Sequence, residues 1–207
     1  WKNNWILDGQ KATIKNTKEG MEFYAGSNPG EDASHAVLWT RNQFSGDIKV
    51  EYEYTRLDHK TRYVNILYVQ ATGIGEYPWE KDVAKWTDLR VIPAMNMYYE
   101  KMYTYHISYA TGGKYIRARR YMGGSLQGTA IKPDYDQGDF FKENVTHQIT
   151  VIKTDSHLFM KIKNREKSKI LHWHNNEFPP ILEGRIGLRH MCTRAARYSD
   201  FRVSVRK

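Results

Sequence analysis

The densest grouping of chemistry-bearing side chains in the chain lies at residues 102–121, MYTYHISYATGGKYIRARRY. Two consecutive glycines, Gly112 and Gly113, separate two β-rich runs and predict a two-residue hairpin turn with positive φ at both central positions. With Thr111 opposite Lys114, Ser108 falls opposite Arg117, His106 opposite Arg119 and Thr104 opposite Tyr121. All of these share one face because side chains alternate along a strand. The other face carries Tyr103, Tyr105, Ile107, Tyr109, Ile116 and Ala118, a stripe suited to a core. Two arginines, a histidine, a serine and a tyrosine within cross-strand reach can neutralise a carboxylate or sulfate and offer a proton donor or acceptor. The competing reading is a solvated sheet face. The absence of Lys and Glu from it favours a site, since arginine suits bidentate anion recognition. A slip of one residue would exchange the arginine faces.

β-Elimination on a uronate needs a cation to acidify the C5 proton, a base to remove it and an acid for the leaving oxygen. Arg117 or Arg119 can bind the carboxylate, His106 can be the base, and Tyr121 or Tyr98 can carry the second proton. Tyrosine has an ordinary pKa of about 10, so this role relies on neighbouring arginines to stabilise tyrosinate. Ser108, Gln70, Arg189 and Trp86 complete the expected substrate contacts: Gln70 ends a strand beside a glycine turn, and Arg189 is the member of the Arg189–His190 pair assigned to the groove. Trp86, with Trp79, Tyr98 and Tyr99, offers rings for stacking on pyranose faces, although at least half of these aromatics are expected in the core. Arg194 and Arg197 extend a second basic cluster, with surface and ligand roles both open. His172 and His174 share a strand face as metal ligands do, but no third ligand can be named, and neither metal nor cofactor is assigned.

These residues need a scaffold, and composition bounds it. A chain of 207 residues with a 40% hydrophobic fraction, fifteen tyrosines and six tryptophans is long enough for one sizeable core, and a single unit over 1–207 is expected. A net charge of +9 favours a polyanionic partner. Nucleic acid is disfavoured because the lysines are scattered and no recognised binding motif is present. No basic amphipathic helix points to a membrane surface, and no stretch approaches the roughly twenty apolar residues of a spanning helix. Cys192 is the only cysteine, which excludes an internal disulfide. The chain begins at Trp1 rather than Met; a removed leader would suit a periplasmic or secreted protein, and a trimmed chain accounts for it equally. Periplasmic or secreted location is the expectation, with the cytoplasm left open. Asn144-Val145-Thr146 fits a glycosylation sequon.

Along the chain, strands are expected at 11–17, 21–25, 35–40, 48–55, 62–71, 147–153, 157–163, 170–174, 184–190 and 201–205, in addition to the hairpin. Residues 75–92 lack periodicity, contain Pro78, Trp79 and Trp86, and read as a long ordered loop edging a binding cleft. Residues 123–142, rich in Gly, Pro and Asp, read as a second long connection. About a dozen short strands without a long helix indicate an all-β jelly-roll sandwich of two antiparallel sheets.

Phe44-Ser45-Gly46-Asp47 leading into an alternating strand, Gly184-Arg185-Ile186-Gly187-Leu188-Arg189 and Tyr198-Ser199-Asp200-Phe201-Arg202-Val203 resemble the concanavalin A-like lectin and glucanase superfamily. Within it, residues 63–73, 105–110 and 115–121 resemble the YesU-like family of unknown function, which occurs among bacterial polysaccharide-utilisation proteins. The resemblance spans nearly the whole chain. It implies a jelly roll, a carbohydrate context and a groove on the concave sheet, and it supplies no catalytic residues. Retaining glucanases of the fold place acidic residues at alternate positions on one strand. No such run exists here, and Glu51 and Glu53 face away from the core stripe. An acidic polysaccharide or oligosaccharide is therefore the expected partner, with a polysaccharide lyase as the leading activity. The alternatives are a non-catalytic carbohydrate-binding module and a glycoside hydrolase without the usual carboxylates. Glycan identity, endo or exo action and oligomeric state are not legible in the sequence.

Overall fold

The computed structural model describes residues 1–60, 62–90 and 92–206; Val91, within the long aromatic loop, lies outside them. The fifteen strands are β1 (Trp5–Asp8), β2 (Thr13–Thr17), β3 (Gly20–Tyr24), β4 (Ala36–Thr40), β5 (Phe44–Ser45), β6 (Ile48–Arg56), β7 (Asn65–Gly73), β8 (Met102–Tyr109), β9 (Tyr115–Met122), β10 (Ala130–Asp136), β11 (Thr146–Lys153), β12 (His157–Lys163), β13 (Ser168–His174), β14 (Glu183–His190) and β15 (Ala195–Val205). One sheet, A, runs β1-β4-β14-β7-β8-β9-β10 with β5 beside β14, and the other, B, runs β13-β12-β11-β6-β15-β3-β2. All strand pairs are antiparallel. This is the all-β sandwich of two antiparallel sheets that the alternating pattern predicts.

Alternation explains which residues lie between the sheets. Ile48, Val50, Tyr52 and Tyr54 of β6 face Leu67 and Val69 of β7, Tyr105, Ile107 and Tyr109 of β8, and Ile186 and Leu188 of β14 within one apolar cluster. Each large aliphatic chain buried this way contributes about 1.5–3 kcal/mol. His190 joins this core rather than any groove, its ring stacked on Phe23 at 4.0 Å.

A second, smaller cluster lies on the outer face of sheet A. Val37, Trp39, Ile66, Tyr68, Met102 and Tyr121 come from the sheet, and Val83, Trp86 and Tyr98 come from the segment laid over it. That segment, residues 74–101, holds a 3-10 helix (Val83–Leu89) and the short helix α1 (Met95–Lys101). Gly73 permits the close approach of the segment, and Gly187 of β14 makes room for the ring of Trp39 on the neighbouring strand β4. A Cβ on Gly73 would lie 1.9 Å from the Glu80 carbonyl oxygen, and one on Gly187 would lie 2.4 Å from the Trp39 ring. The segment expected to edge a cleft instead closes one half of the sheet face.

The connection expected over 123–142 contains an additional strand, β10, which forms an edge of sheet A. It carries Pro133, and its register shifts between Ile131 and Tyr135. A proline and an irregularity are tolerated on an edge, where one row of backbone groups needs no ladder partner.

Candidate functional site

The hairpin register is the expected one: Thr104 pairs with Tyr121, His106 with Arg119 and Ser108 with Arg117. The turn differs from expectation. Neither Gly112 nor Gly113 has positive φ; Ala110 (φ 53°) and Lys114 (φ 55°) do, and the Lys114 N–H donates to the Thr111 carbonyl at 3.3 Å. A turn without positive φ at its centre keeps the same register by placing the left-handed residues at its flanks.

The shared face is divided by what covers it. Towards β7 and β14 the polar residues are sealed. Tyr98 and Trp86 have no exposed surface, and neither have Arg189 and Tyr121. His106 is 4% exposed, with Nδ1 hydrogen-bonded to Tyr121 Oη. Burial, reinforced by the Arg119 charge, pushes the His106 pKa well below 6.5 and keeps the ring neutral. Burial also pushes the Tyr121 and Tyr98 phenols far up and the Tyr68 phenol to about 12. Desolvation thus overrides the arginines that were expected to stabilise tyrosinate. Tyr98, expected to carry a proton, donates its hydroxyl to Asp8 Oδ2 at 3.1 Å.

Beneath the covering segment Asp8 gathers three partners: Arg90 Nε at 2.5 Å, Trp39 Nε1 at 3.0 Å and the Tyr98 hydroxyl. Arg185 holds Asp82 through two nitrogens, at 2.6 and 2.7 Å, and also donates to the Thr40 carbonyl. Arg189, expected in a groove, donates Nη2 to the Pro93 carbonyl (2.9 Å) and packs its guanidinium 4.1 Å from the Tyr98 ring. Trp86, expected to stack on sugar, donates Nε1 to the Glu80 carbonyl and packs against Arg90. Gln70, expected to touch sugar hydroxyls, is fully buried at a bulge; its Nε2 ties the carbonyls of Phe44 and Gly46 to β7, each at 3.0 Å. These three side chains secure the scaffold and the cover.

Towards β9 and β10 the face opens. Arg117 and Arg119 are half-buried there, whereas Ser108, expected to touch substrate, is buried and donates Oγ to the Arg117 carbonyl at 3.4 Å. Arg117 holds Asp134 Oδ2 through Nε (2.9 Å) and Nη2 (2.6 Å). Arg119 donates Nη1 to Thr129 Oγ1 at 3.3 Å and joins no ion pair among the described residues. A guanidinium with five N–H donors retains capacity for an anion there. The residues missed in the sequence are Asp8, Asp82, Arg90, Thr129 and Asp134. Their partners are up to 103 positions away, so no local spacing marks them.

Other candidates resolve into structural roles. Arg194 is fully buried against Asp58, and Arg197 pairs with Glu19 and Glu22. On sheet B, His157 Nδ1 lies 2.9 Å from His172 Nε2 and its ring stacks on His174. No group of three or more ligands suited to a metal ion forms among the described residues. No helix among them is long and apolar enough to cross a membrane.

No protein-family model matches the chain, and no curated protein matches it in sequence. Solved structures do match in shape. A protein of unknown function with a galectin-like fold from Bacillus subtilis aligns with a TM-score of 0.73 at 18% identity, over 99% of this chain and 91% of its own. The carbohydrate-binding module CBM66 from Bacillus subtilis aligns at 0.58 and 13% identity, over 97% and 95%. The exoplasmic/lumenal domain of VIP36, in a Ca2+/Man3GlcNAc-bound form, aligns at 0.62 and 11% identity, over 100% and 85%. At these identities the likeness establishes a lectin-like fold.

Proposed function

We propose that this chain is a carbohydrate-binding protein of lectin-like fold that takes an acidic sugar on the open strip of sheet A around Arg119. The observation that carries the reading is the contrast within one strand: Arg117 is neutralised by Asp134, while Arg119 is half-exposed and has no carboxylate partner. A uronate or sulfate meeting such a guanidinium gains a charge-assisted hydrogen bond, of the stronger class. The net charge of +9 adds long-range attraction for an acidic chain. The carbohydrate-binding module and the sugar-bound VIP36 domain support the carbohydrate half of the proposal. Membership of the YesU-like family, and action outside the cytoplasm on a bacterial polysaccharide, belong to the same proposal.

Binding is favoured over elimination. A base must come within hydrogen-bond reach of the proton it removes, whereas His106 is sealed and Tyr121 and Tyr98 are buried. A lyase would require residues 74–101 to lift, breaking the Asp8–Arg90 and Asp82–Arg185 pairs. Hydrolysis by a carboxylate pair is also disfavoured, because the carboxylate beside Arg117 is already engaged.

A panel of uronate-containing and sulfated polysaccharides, each beside a neutral counterpart, tests this reading with binding and ultraviolet absorbance followed together. The expected result is preferential binding of an acidic glycan without new absorbance. Equal binding of neutral counterparts would sink the anion reading. New absorbance that disappears in His106→Ala would replace binding with elimination.

A further inference from the structure

At the opposite edge of sheet A, with five strands between β1 and β10, a half-open cavity of about 310 Å3 lies where β1, the β4–β5 connection and β15 meet. Its volume is at the small end of ligand pockets. One wall is aromatic. Trp5 and Phe201 meet edge to face with ring centroids 4.7 Å apart, and Phe44 stands beside them. The lining also includes Asn3, Asn4 and Asn42. None of these three side-chain amides hydrogen-bonds another group among the described residues: Asn4 and Asn42 are engaged through backbone atoms alone.

These aromatic and amide lining residues call for one kind of guest. An aromatic surface takes an apolar, flat face, and a primary amide offers two donors and two acceptor lone pairs at once. A pyranose presents both complements, C–H groups on its face and hydroxyls that donate and accept around its rim. No Asp or Glu lines the cavity, so a cation finds no counter-charge there. Arg41, exposed among the lining residues, donates Nε to the Lys2 carbonyl at 2.7 Å and keeps its other N–H donors for the hydroxyls of a guest. We propose that this cavity is a second sugar site, for a neutral pyranose ring, distinct from the anion strip around Arg119. A polysaccharide carrying both neutral and acidic residues would engage both edges of the sheet, with the gain in avidity that two linked contacts provide.

The test uses the full chain and methyl glycosides of neutral hexoses and pentoses, read by the Trp5 indole N–H resonance, which a Trp5→Phe variant assigns. A saturable shift of that resonance with at least one neutral glycoside is expected. Asn42→Ala should weaken it about fivefold, the scale of one lost hydrogen-bonding group. Asn42 is exposed and, among the described residues, its only hydrogen bond is made by its backbone carbonyl, so this variant should remain folded; Asn3→Ala is the second probe. Arg119→Ala should leave the neutral-sugar titration unchanged, and its effect on acidic glycans reports separately on the strip. The proposal is overturned if no neutral glycoside shifts Trp5, if only uronates do, or if both asparagine variants titrate like the parent.

Discussion

The two halves of the outer face of sheet A use the same residue types to opposite ends. Under residues 74–101, arginines, tyrosines and a carboxylate are assembled into a sealed polar layer around Asp8; beside β10, the same hairpin leaves Arg119 half-exposed without a charge partner. The difference arises from the cover rather than from the strands. Arg189 and Arg119 both sit on the outward face of a strand of sheet A, yet one is fully buried against the Pro93 carbonyl and the Tyr98 ring while the other keeps donors within reach of solvent. An arginine on a strand face therefore identifies a ligand site only once the covering element is known.

The covered half should be the more sensitive to substitution. Asp8→Ala leaves Arg90 and Tyr98 buried without their acceptor, and removing one partner of a buried pair costs about 3–5 kcal/mol. Urea unfolding should register that loss; a loss below about 1 kcal/mol would mean that the cover is not held by this carboxylate.

Acid should act next most strongly. Burial, with Arg194 nearby, pushes His190 down to about 3, burial with Arg189 pushes His35 to about 4, and His106 lies well below its ordinary value. Each folded pKa is below the unfolded value of 6.5. The unfolded chain consequently binds protons that the folded chain refuses, and stability falls as pH drops from 6.5 towards the folded values. The slope is about 1.4 kcal/mol per pH unit for each such histidine. Unfolding midpoints at neutral and mildly acidic pH should diverge accordingly, and His190→Phe should flatten the dependence. A pH-independent midpoint through that window would show that these rings take up protons without unfolding.

The fold was legible because alternation is a local property: the inward set on β6 and the His106–Arg119 pairing both follow from period-two patterning around a turn. The cover was not legible. Asp8 and Arg90 lie 82 positions apart, and nothing in the aperiodic run around Trp86 says which surface it will lie on. β10 is not legible either, because Pro133 and Asp134 give it a loop-like composition that an edge strand accepts. Sequence and register place Tyr121 and Tyr98 beside arginines, but neither reveals the depth that keeps both phenols protonated.

On the open half, effects should fall on binding rather than on folding. Asp134→Asn removes the carboxylate that neutralises Arg117 and should raise affinity for an acidic glycan about two- to threefold, with little change in stability, since exposed pairs contribute about 0–1 kcal/mol. Unchanged affinity would confine recognition to Arg119.

The most direct test sets Arg119→Ala against Arg189→Met in parallel titrations with one acidic oligosaccharide, at low and high salt, beside thermal unfolding of each variant. Arg119→Ala should lose about tenfold in affinity, the scale of a hydrogen bond to a charged group, with a weaker salt dependence and the parent melting temperature. Arg189→Met should change its melting temperature and, while folded, bind like the parent. Parent-like binding by Arg119→Ala, with affinity lost in folded Arg189→Met, would contradict the account and move the site beneath the cover.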